Sequence, residues 1–590
     1  MNLNNDDSKQ NQFDVELYHN QLGKIGSGVL YFGSNKWAYV NILSSEKVPD
    51  LYIDNAQFDL VKAITNEGIT FCLCDCKFNS VSLYADYVIE GDLNEASFHS
   101  ISVRYSDVSE WFLHRRMLEG SVGKTFNWSQ IPKNINVSIK TNEEHFDLRS
   151  EYRGSWKQQE ENLVIHEHIE FIFSANTNRF NLEDVKEKSH DLSCFLSILL
   201  AYPVTIESIF VSQGPGNSYY RLHFPTFDRP ERPARAKDNG SFWTLCFIQR
   251  LDLDGRWQSI FDQYYQSNYR KICWVRLAGM QRHDGFWEYK LLGYVSLLDS
   301  YLNIKFKKEK PPKIQELSSR KVSKFRQELT DKISNIATKE RENIIEIARK
   351  VFGSDNFNFE KKYKLTIENT NADIKKIIML SDTDFLLIKQ VRNRIAHGND
   401  HGLKPEQFPI VMRSVEKIIL LLTYWAFLDF GFTSQEFITY LKKTHSNLKL
   451  AAMIDNVHLD RVTRTAEFFP VTVENFQFLR EVKRLHSLGC YIEDELGNLT
   501  FSEELTTKYR DWMRDSSRMA VICDPEKIFG FDKKQAKPVN HGYFECGGEY
   551  IEVHNIWIIK QTASEPESES GLIDFSQNSA DMGNHQPRVG

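Results

Sequence analysis

The run over residues 405–430 constrains the fold most, because Ile410, Val411, Val415, Ile418, Ile419, Leu420, Leu421, Leu422, Trp425 and Leu428 leave no polar face for a surface helix. A helix of this kind is enclosed by others, or lends half of its circumference to a subunit interface. It is too short and too interrupted to cross a bilayer, which takes about 20 apolar residues. Further helices are therefore looked for beside it. A second helix over 286–302 presents the stripe Leu291, Leu292, Val295, Leu298 and Leu302. A third helical stretch, 316–352, opens behind Pro311-Pro312.

The residues ahead of the bundle follow another rhythm. Short β-rich runs at 15–18, 29–32, 37–43, 69–76, 80–89, 98–105, 135–139, 164–173 and 204–211 alternate with turn clusters, which suggests a sandwich or a barrel. Within this region only 182–200 reads as helix. Gly23-Lys24-Ile25-Gly26-Ser27-Gly28 fits a hairpin with a bulge. Gly120-Ser121-Val122-Gly123-Lys124-Thr125 ends like a phosphate-binding loop, but Leu118 stands where its first glycine belongs and no helix follows.

A boundary falls at Asp228-Arg229-Pro230-Glu231-Arg232-Pro233, followed by an aromatic-rich helical connector with Trp243, Phe247, Trp257, Phe261, Tyr264 and Tyr265. The chain is thus expected to be multidomain α+β. Its expected parts are a disordered start (1–12), a β-rich N-terminal sensor or regulatory domain (13–228), a connector (229–280), an all-α bundle (281–431), a mixed α/β region (432–560) and a disordered acidic tail (561–590). In the mixed region a helix over 472–488 precedes hairpin signals, an order that admits a winged helix.

Charge is uneven. The 590 residues carry a net charge of −7, which excludes a uniformly basic nucleic-acid binder. The tail from 561 supplies −4 of it, with five acidic residues against Arg588. Residues 305–326 instead hold nine Lys and Arg against two Glu. No secretory leader is visible, and nine scattered cysteines argue against a secreted disulfide framework, so a cytoplasmic protein with reduced thiols and no membrane association is expected.

Chemistry concentrates at Arg392-Asn393-Arg394-Ile395-Ala396-His397-Gly398. Leu387, Ile388, Val391 and Ile395 recur at helical spacing, with Ser381, Asp382 and Thr383 available as N-cap and Gly398 as the left-handed terminator. At about 100° per residue, Asn393 and His397 lie one turn apart on one edge, with Arg392 beside them. The Asn393 amide is expected to orient the imidazole. Cutting RNA without a metal requires removal of the 2′-OH proton, stabilisation of a dianionic phosphorane and protonation of the leaving 5′ oxygen. Histidine can move those protons, and arginine offers a permanent planar cation to phosphate oxygens. His397 at a helix C-terminus, where the dipole favours positive charge, suits a proton donor or phosphate ligand. Read as a bare R-x4-H pattern, the same residues would be a solvated charge and a helix cap.

This motif, on its helix, resembles the R-N-x3-H signature of HEPN domains, the helical bundles of many ribonucleases. The opening Phe13-Asp14-Val15-Glu16-Leu17-Tyr18 and Gly28-Val29-Leu30-Tyr31-Phe32-Gly33 are similar to the start of the N-terminal domain of ApeA anti-phage proteins, so the resemblance takes in most of residues 13–430. It implies a homodimer or higher homo-oligomer in which paired motif helices face one groove, with Arg392, Asn393 and His397 catalytic. It also implies an acidic or polar residue on another helix of the bundle. The candidates are Glu288 and Asp299, and Glu288 is preferred.

The expected function is then a metal-independent, abortive-infection endoribonuclease that cuts tRNA or other host RNA after sensing a phage-encoded trigger, with no cofactor. Lys307, Lys308, Lys310, Arg320, Lys321, Lys324 and Arg394 are its candidate RNA contacts, by neutralisation of phosphates. The alternative is a non-catalytic HEPN protein that dimerises or binds RNA while its N-terminal domain recognises a phage component. A zinc-dependent hydrolase would need a metal set. Cys72, Cys74 and Cys76 alternate along a strand, and Cys490, Cys523 and Cys546 stand near His541 and His554, but neither group has paired-cysteine spacing or a visible base.

Overall fold

A computed structural model describes residues 10–560, except 34, 46–55, 80, 115, 121–124, 216–217, 233–241, most of 308–357, 483–485, 515–523, 531 and 533. It divides into two compact units, 1–456 and 457–590. Among the described residues, no helix is long and apolar enough to cross a membrane, and every cysteine is a free thiol.

Six antiparallel strands open the first unit: β1 (Asn11–His19), β2 (Gly23–Phe32), β3 (Ala38–Ser45), β4 (Gln57–Thr65), β5 (Thr70–Asn79) and β6 (Ser82–Glu90). Their order β6-β3-β2-β1-β4-β5 returns to β6, so they close into a barrel. Alternate residues fill it, among them Val15, Leu17, Leu30, Val40, Val61, Ala63, Leu73 and Leu83. The glycine-rich stretch lies inside β2, which forms a hairpin with β1 and carries a bulge where the register shifts between Leu17 and Tyr18. At Gly28 an added Cβ would run into the Asn41 carbonyl of β3, which is why that close approach takes glycine.

The barrel is one end of a longer sheet. The first half of β6 pairs with β3, and its second half, Val88 to Glu90, pairs with β14 (Tyr220–His223). From there the sheet runs through β13 (Ile206–Ser212), β7 (Ser100–Tyr105), β12 (Asn162–Ala175) and β11 (His145–Gln159) to β10 (Asn136–Lys140). Of the sandwich and the barrel expected from the sequence, it is the barrel that forms, and it unrolls into an open sheet. Strands β4, β11 and β14 escaped the sequence reading. In β11 the second half is exposed on both faces, so no alternation exists to be read. Strands β8 (Met117–Gly120) and β9 (Phe126–Ser129) pair with each other, so the phosphate-loop look-alike connects two strands and a strand stands where the required helix would begin.

Helix α1 (Leu182–Leu200) occupies the expected range and opens with a capping box between Asn181 and Asp184. The connector supplies α2 (Trp257–Gln266), whose Tyr264 and α1's Phe195 both pack on Phe430. It leads into the bundle: α3 (Trp287–Lys305), α4 (Phe359–Glu368), α5 (Ala372–Ile378), α6 (Asp382–Ala396) and α7 (Phe408–Asp429). In α7 every residue from Ile418 to Phe427 is buried, the enclosure its composition required. Trp425 stacks on Tyr301 of α3 at 4.8 Å. Asp429, at the end of α7, accepts from Trp274 Nε1 at 2.6 Å and from the Ser267 hydroxyl, tying bundle to connector. Helix α8 (Ser434–Lys443) also packs against α7, so the first unit continues beyond residue 431 to 456. The start differs as well, since β1 takes in residues 11 and 12.

The second unit carries a five-stranded mixed sheet, ordered β15 (Glu467–Pro470), β18 (Ala536–Cys546), β19 (Glu549–Lys560), β16 (Cys490–Glu493) and β17 (Leu499–Phe501). Helix α9 (Asn456–Thr463) opens it, and α10 (Val473–Glu481) and α11 (Glu503–Arg514) follow. The long β18–β19 hairpin is central, with parallel neighbours on both sides. This is more sheet than a winged helix holds.

Candidate active site

Helix α6 is capped at both ends by its own sequence. Ser381 Oγ accepts from the Asp384 amide at 3.1 Å. At the other end Gly398 adopts φ +70°, its N–H reaches the Ile395 carbonyl at 3.0 Å, and the Asn399 N–H reaches Arg394 at 2.9 Å. That pair of bonds is a Schellman ending. Phe385, Ile388 and Val391 form the buried face. Phe385, absent from the stripe read in the sequence, stacks on Tyr363 of α4 at 3.7 Å with planes 3° apart. With this face fixed, Arg392 is directed along the seam with α3.

There its guanidinium meets Asp299. Arg392 Nη2 lies 3.5 Å from Asp299 Oδ2, and Nη1 donates to Asn393 Oδ1 at 3.1 Å. The other Asp299 oxygen accepts from Asn303 Nδ2 at 3.2 Å, and Asn303 Oδ1 accepts from Lys362 Nζ of α4 at 2.6 Å. Five polar side chains from three helices therefore run in one line: Lys362, Asn303, Asp299, Arg392 and Asn393. Arg392 and Asp299 keep 26% and 28% of their side-chain surface exposed, so the pair contributes at most about 1 kcal/mol to stability. Its consequence is orientation.

Two expectations need correction. The Asn393 amide is engaged by Arg392, not by the imidazole, and among the described residues the exposed His397 ring makes no hydrogen bond. The carboxylate at Arg392 is Asp299, whereas Glu288 sits in the first turn of α3, roughly 16 Å away along the helix at 1.5 Å per residue. Glu288 has no ion pair among the described residues. Within one chain no bond joins the Arg392 guanidinium to His397.

The other candidates are spread out. The Arg394 guanidinium covers Gly402, a φ +66° residue where any Cβ would overlap it. Lys307 is exposed just past the end of α3. Lys308, Lys310, Arg320, Lys321 and Lys324 lie outside the described residues, as does most of the expected helix 316–352. Asn303 and Lys362 were missed. The i, i+4 spacing of Asp299 and Asn303 was a usable signal for the first.

The cysteine sets do not assemble. Cys72 exchanges bonds with the backbone of Gly91 and Leu93, while Cys76 joins the barrel core with Leu73 and Phe78. Asp75 between Cys74 and Cys76 has φ +54°, which breaks the alternation that would have aligned the three thiols. Burial pushes the Cys74 thiol up to about 12. Cys490 is buried in a separate apolar cluster with Trp557, and Cys523 is outside the described residues.

The family model for ApeA N-terminal domain 1 matches residues 16–264, and the one for Apea-like HEPN matches residues 292–436. The second begins after Glu288 and takes in Asp299, Arg392, Asn393 and His397. No curated protein and no solved structure matches the chain. A barrel-bearing domain of the first kind followed by a bundle of the second, across most of residues 16–436, makes this chain a member of the ApeA-like HEPN proteins.

Proposed function

We propose that the protein is an anti-phage endoribonuclease of the cytoplasm that cuts host RNA, with tRNA the first substrate to try, at a HEPN site built from two copies of the chain. The observation that carries this reading is the R-N-x3-H segment at the end of α6, with Arg392 oriented by Asp299 and His397 left open to solvent. An interhelical carboxylate holding one motif residue while the other stays accessible suits a groove completed by a second protomer, where a HEPN family member is expected to dimerise. The N-terminal barrel and sheet are assigned the sensing role, a phage component being the trigger.

The reaction is in-line attack of the ribose 2′ oxygen on the adjacent phosphorus. The P–O5′ bond breaks, leaving a 2′,3′-cyclic phosphate and a 5′-OH. One His397 gives its proton to the departing O5′, and the His397 of the second copy accepts the 2′-OH proton. The Arg392 guanidinium faces the equatorial oxygens as negative charge builds on the phosphorane. No step requires a metal.

Purified protein incubated with total RNA and excess EDTA, with and without co-expressed phage genes, tests this. Cleavage with 2′,3′-cyclic ends is expected, falling by about 10²–10⁴-fold in His397→Ala. Chelator-sensitive cleavage, or none under any activating condition while the chain still binds RNA, would replace this reading with a metal-dependent or a binding-only one.

A further inference from the structure

The second unit holds a group of side chains that the ribonuclease reading leaves unused. His541 of β18 stands directly opposite His554 of β19, and Glu552 lies two residues from His554 on the same face of the hairpin. His541 Nε2 is 3.0 Å from Glu552 Oε1, and His554 Nε2 is 3.5 Å from the same oxygen. The two rings are 5.0 Å apart and within 8° of parallel, so both present an edge to one carboxylate. One ligand atom from each of the three lies within 4.8 Å of the other two.

We infer that His541, Glu552 and His554 form a binding site for one divalent transition-metal ion of the zinc class. Tetrahedral zinc with bonds of about 2.0–2.1 Å sets its donors about 3.3 Å apart, and the two measured separations bracket that value. The two imidazoles are borderline donors that Zn²⁺ and its neighbours take in preference to Ca²⁺ or Mg²⁺, and zinc also accepts the carboxylate oxygen. The backbone under the site is fixed. Leu488 N–H bonds the His554 carbonyl at 3.2 Å, and β18 is flanked by β15. A one-residue slip of the hairpin would send the ligands to opposite faces, so register and site specify each other. The side chains keep 27%, 53% and 48% of their surface, which leaves an ion a route in and at least one coordination position for water. Bound there, the ion cross-links β18 to β19.

The inference does not depend on RNA cleavage, and its test reads metal binding in the full-length chain. Protein freed of metal by dialysis against chelator is titrated with Co²⁺ as a visible probe. One equivalent per chain is expected, with the d–d bands of a nitrogen and oxygen site, without a sulfur charge-transfer band, and displaced by Zn²⁺. H541A and H554A should each weaken binding at least tenfold, and E552Q should weaken it less. No bands, a sulfur charge-transfer band, or bands that survive in H541A/H554A would overturn the site. A second measurement needs no variant: Zn²⁺ should protect His541 and His554 of the wild-type chain from carbethoxylation while exposed His397 still reacts. Equal labelling with and without Zn²⁺ would equally overturn it.

Discussion

Asp299 and Arg392 face each other across the seam between α3 and α6 at 3.5 Å, each also bonded to a neighbour on its own helix, Asn303 and Asn393. The arginine is therefore held by a carboxylate that is itself held. A lone, partly exposed ion pair would leave the guanidinium free to sample several rotamers, whereas one anchored at both ends narrows its direction.

Asp299→Asn is accordingly expected to lower RNA cleavage by about tenfold or more while changing stability by under about 1 kcal/mol. Glu288→Gln should leave both at wild-type values. Single-turnover cleavage and a thermal melt on both variants decide between the two carboxylates. An inactive Glu288→Gln beside an active Asp299→Asn would reverse the assignment.

Gly398→Ala separates backbone strain from packing. A Cβ there meets nothing within 4 Å, yet φ is +70°, so the cost is the left-handed conformation alone, about 1 kcal/mol. Because the Gly398 and Asn399 amides close the turn that carries His397, cleavage should fall further than the small loss of stability would suggest. A denaturation midpoint and a cleavage rate on the same preparation measure both.

Phe385→Ala tests the packing beneath the motif. Phe385 is 1% exposed and stacked on Tyr363, and removing such a ring costs about 3–5 kcal/mol. Chemical denaturation should show this loss, with cleavage lost as α6 detaches from α3 and α4. A midpoint within error of wild type would mean that the face is not the one that holds α6.

The adjacent His190 and Asp191 of α1 make a prediction about pH. Burial, helped by Lys186 and Arg282, pulls His190 from 6.5 down to about 4. Burial also pushes Asp191 from 3.8 up to about 6, against the nearby Arg270 and helped by Glu144. The aspartate's contribution to stability is complete below pH 3.8 and is lost as pH rises through about 6. That of the histidine is complete above pH 6.5 and is lost as pH falls through about 4. Each amounts to roughly 3 kcal/mol at about 1.4 kcal/mol per pKa unit, with opposite slopes between pH 4 and 6, so in the wild type they offset one another. Relative to wild type, Asp191→Asn should gain stability with rising pH over that window, and His190→Gln should lose it. Denaturant midpoints from pH 4 to 7 read the two slopes, and parallel wild-type and variant profiles would refute the pairing.

The sequence by itself determined the features that depend on near neighbours. The apolar circumference of α7 demanded an enclosing bundle, Ser381 and Gly398 set the ends of α6, and Asn181 with Asp184 started α1, since caps and periodicity act within a few residues. Tertiary structure decided what joins distant segments. It closed β5 onto β6 in a barrel, turned Cys76 away from Cys72 at Asp75, and selected Asp299 over Glu288 as the partner of Arg392. Both carboxylates lie on one helix, and only the packing of α6 against α3 determines which of them lies opposite the arginine. A single chain can fix that pairing, because it is a matter of helix packing. The meeting of two R-N-x3-H segments proposed here would be set by packing as well, between two copies of the fold.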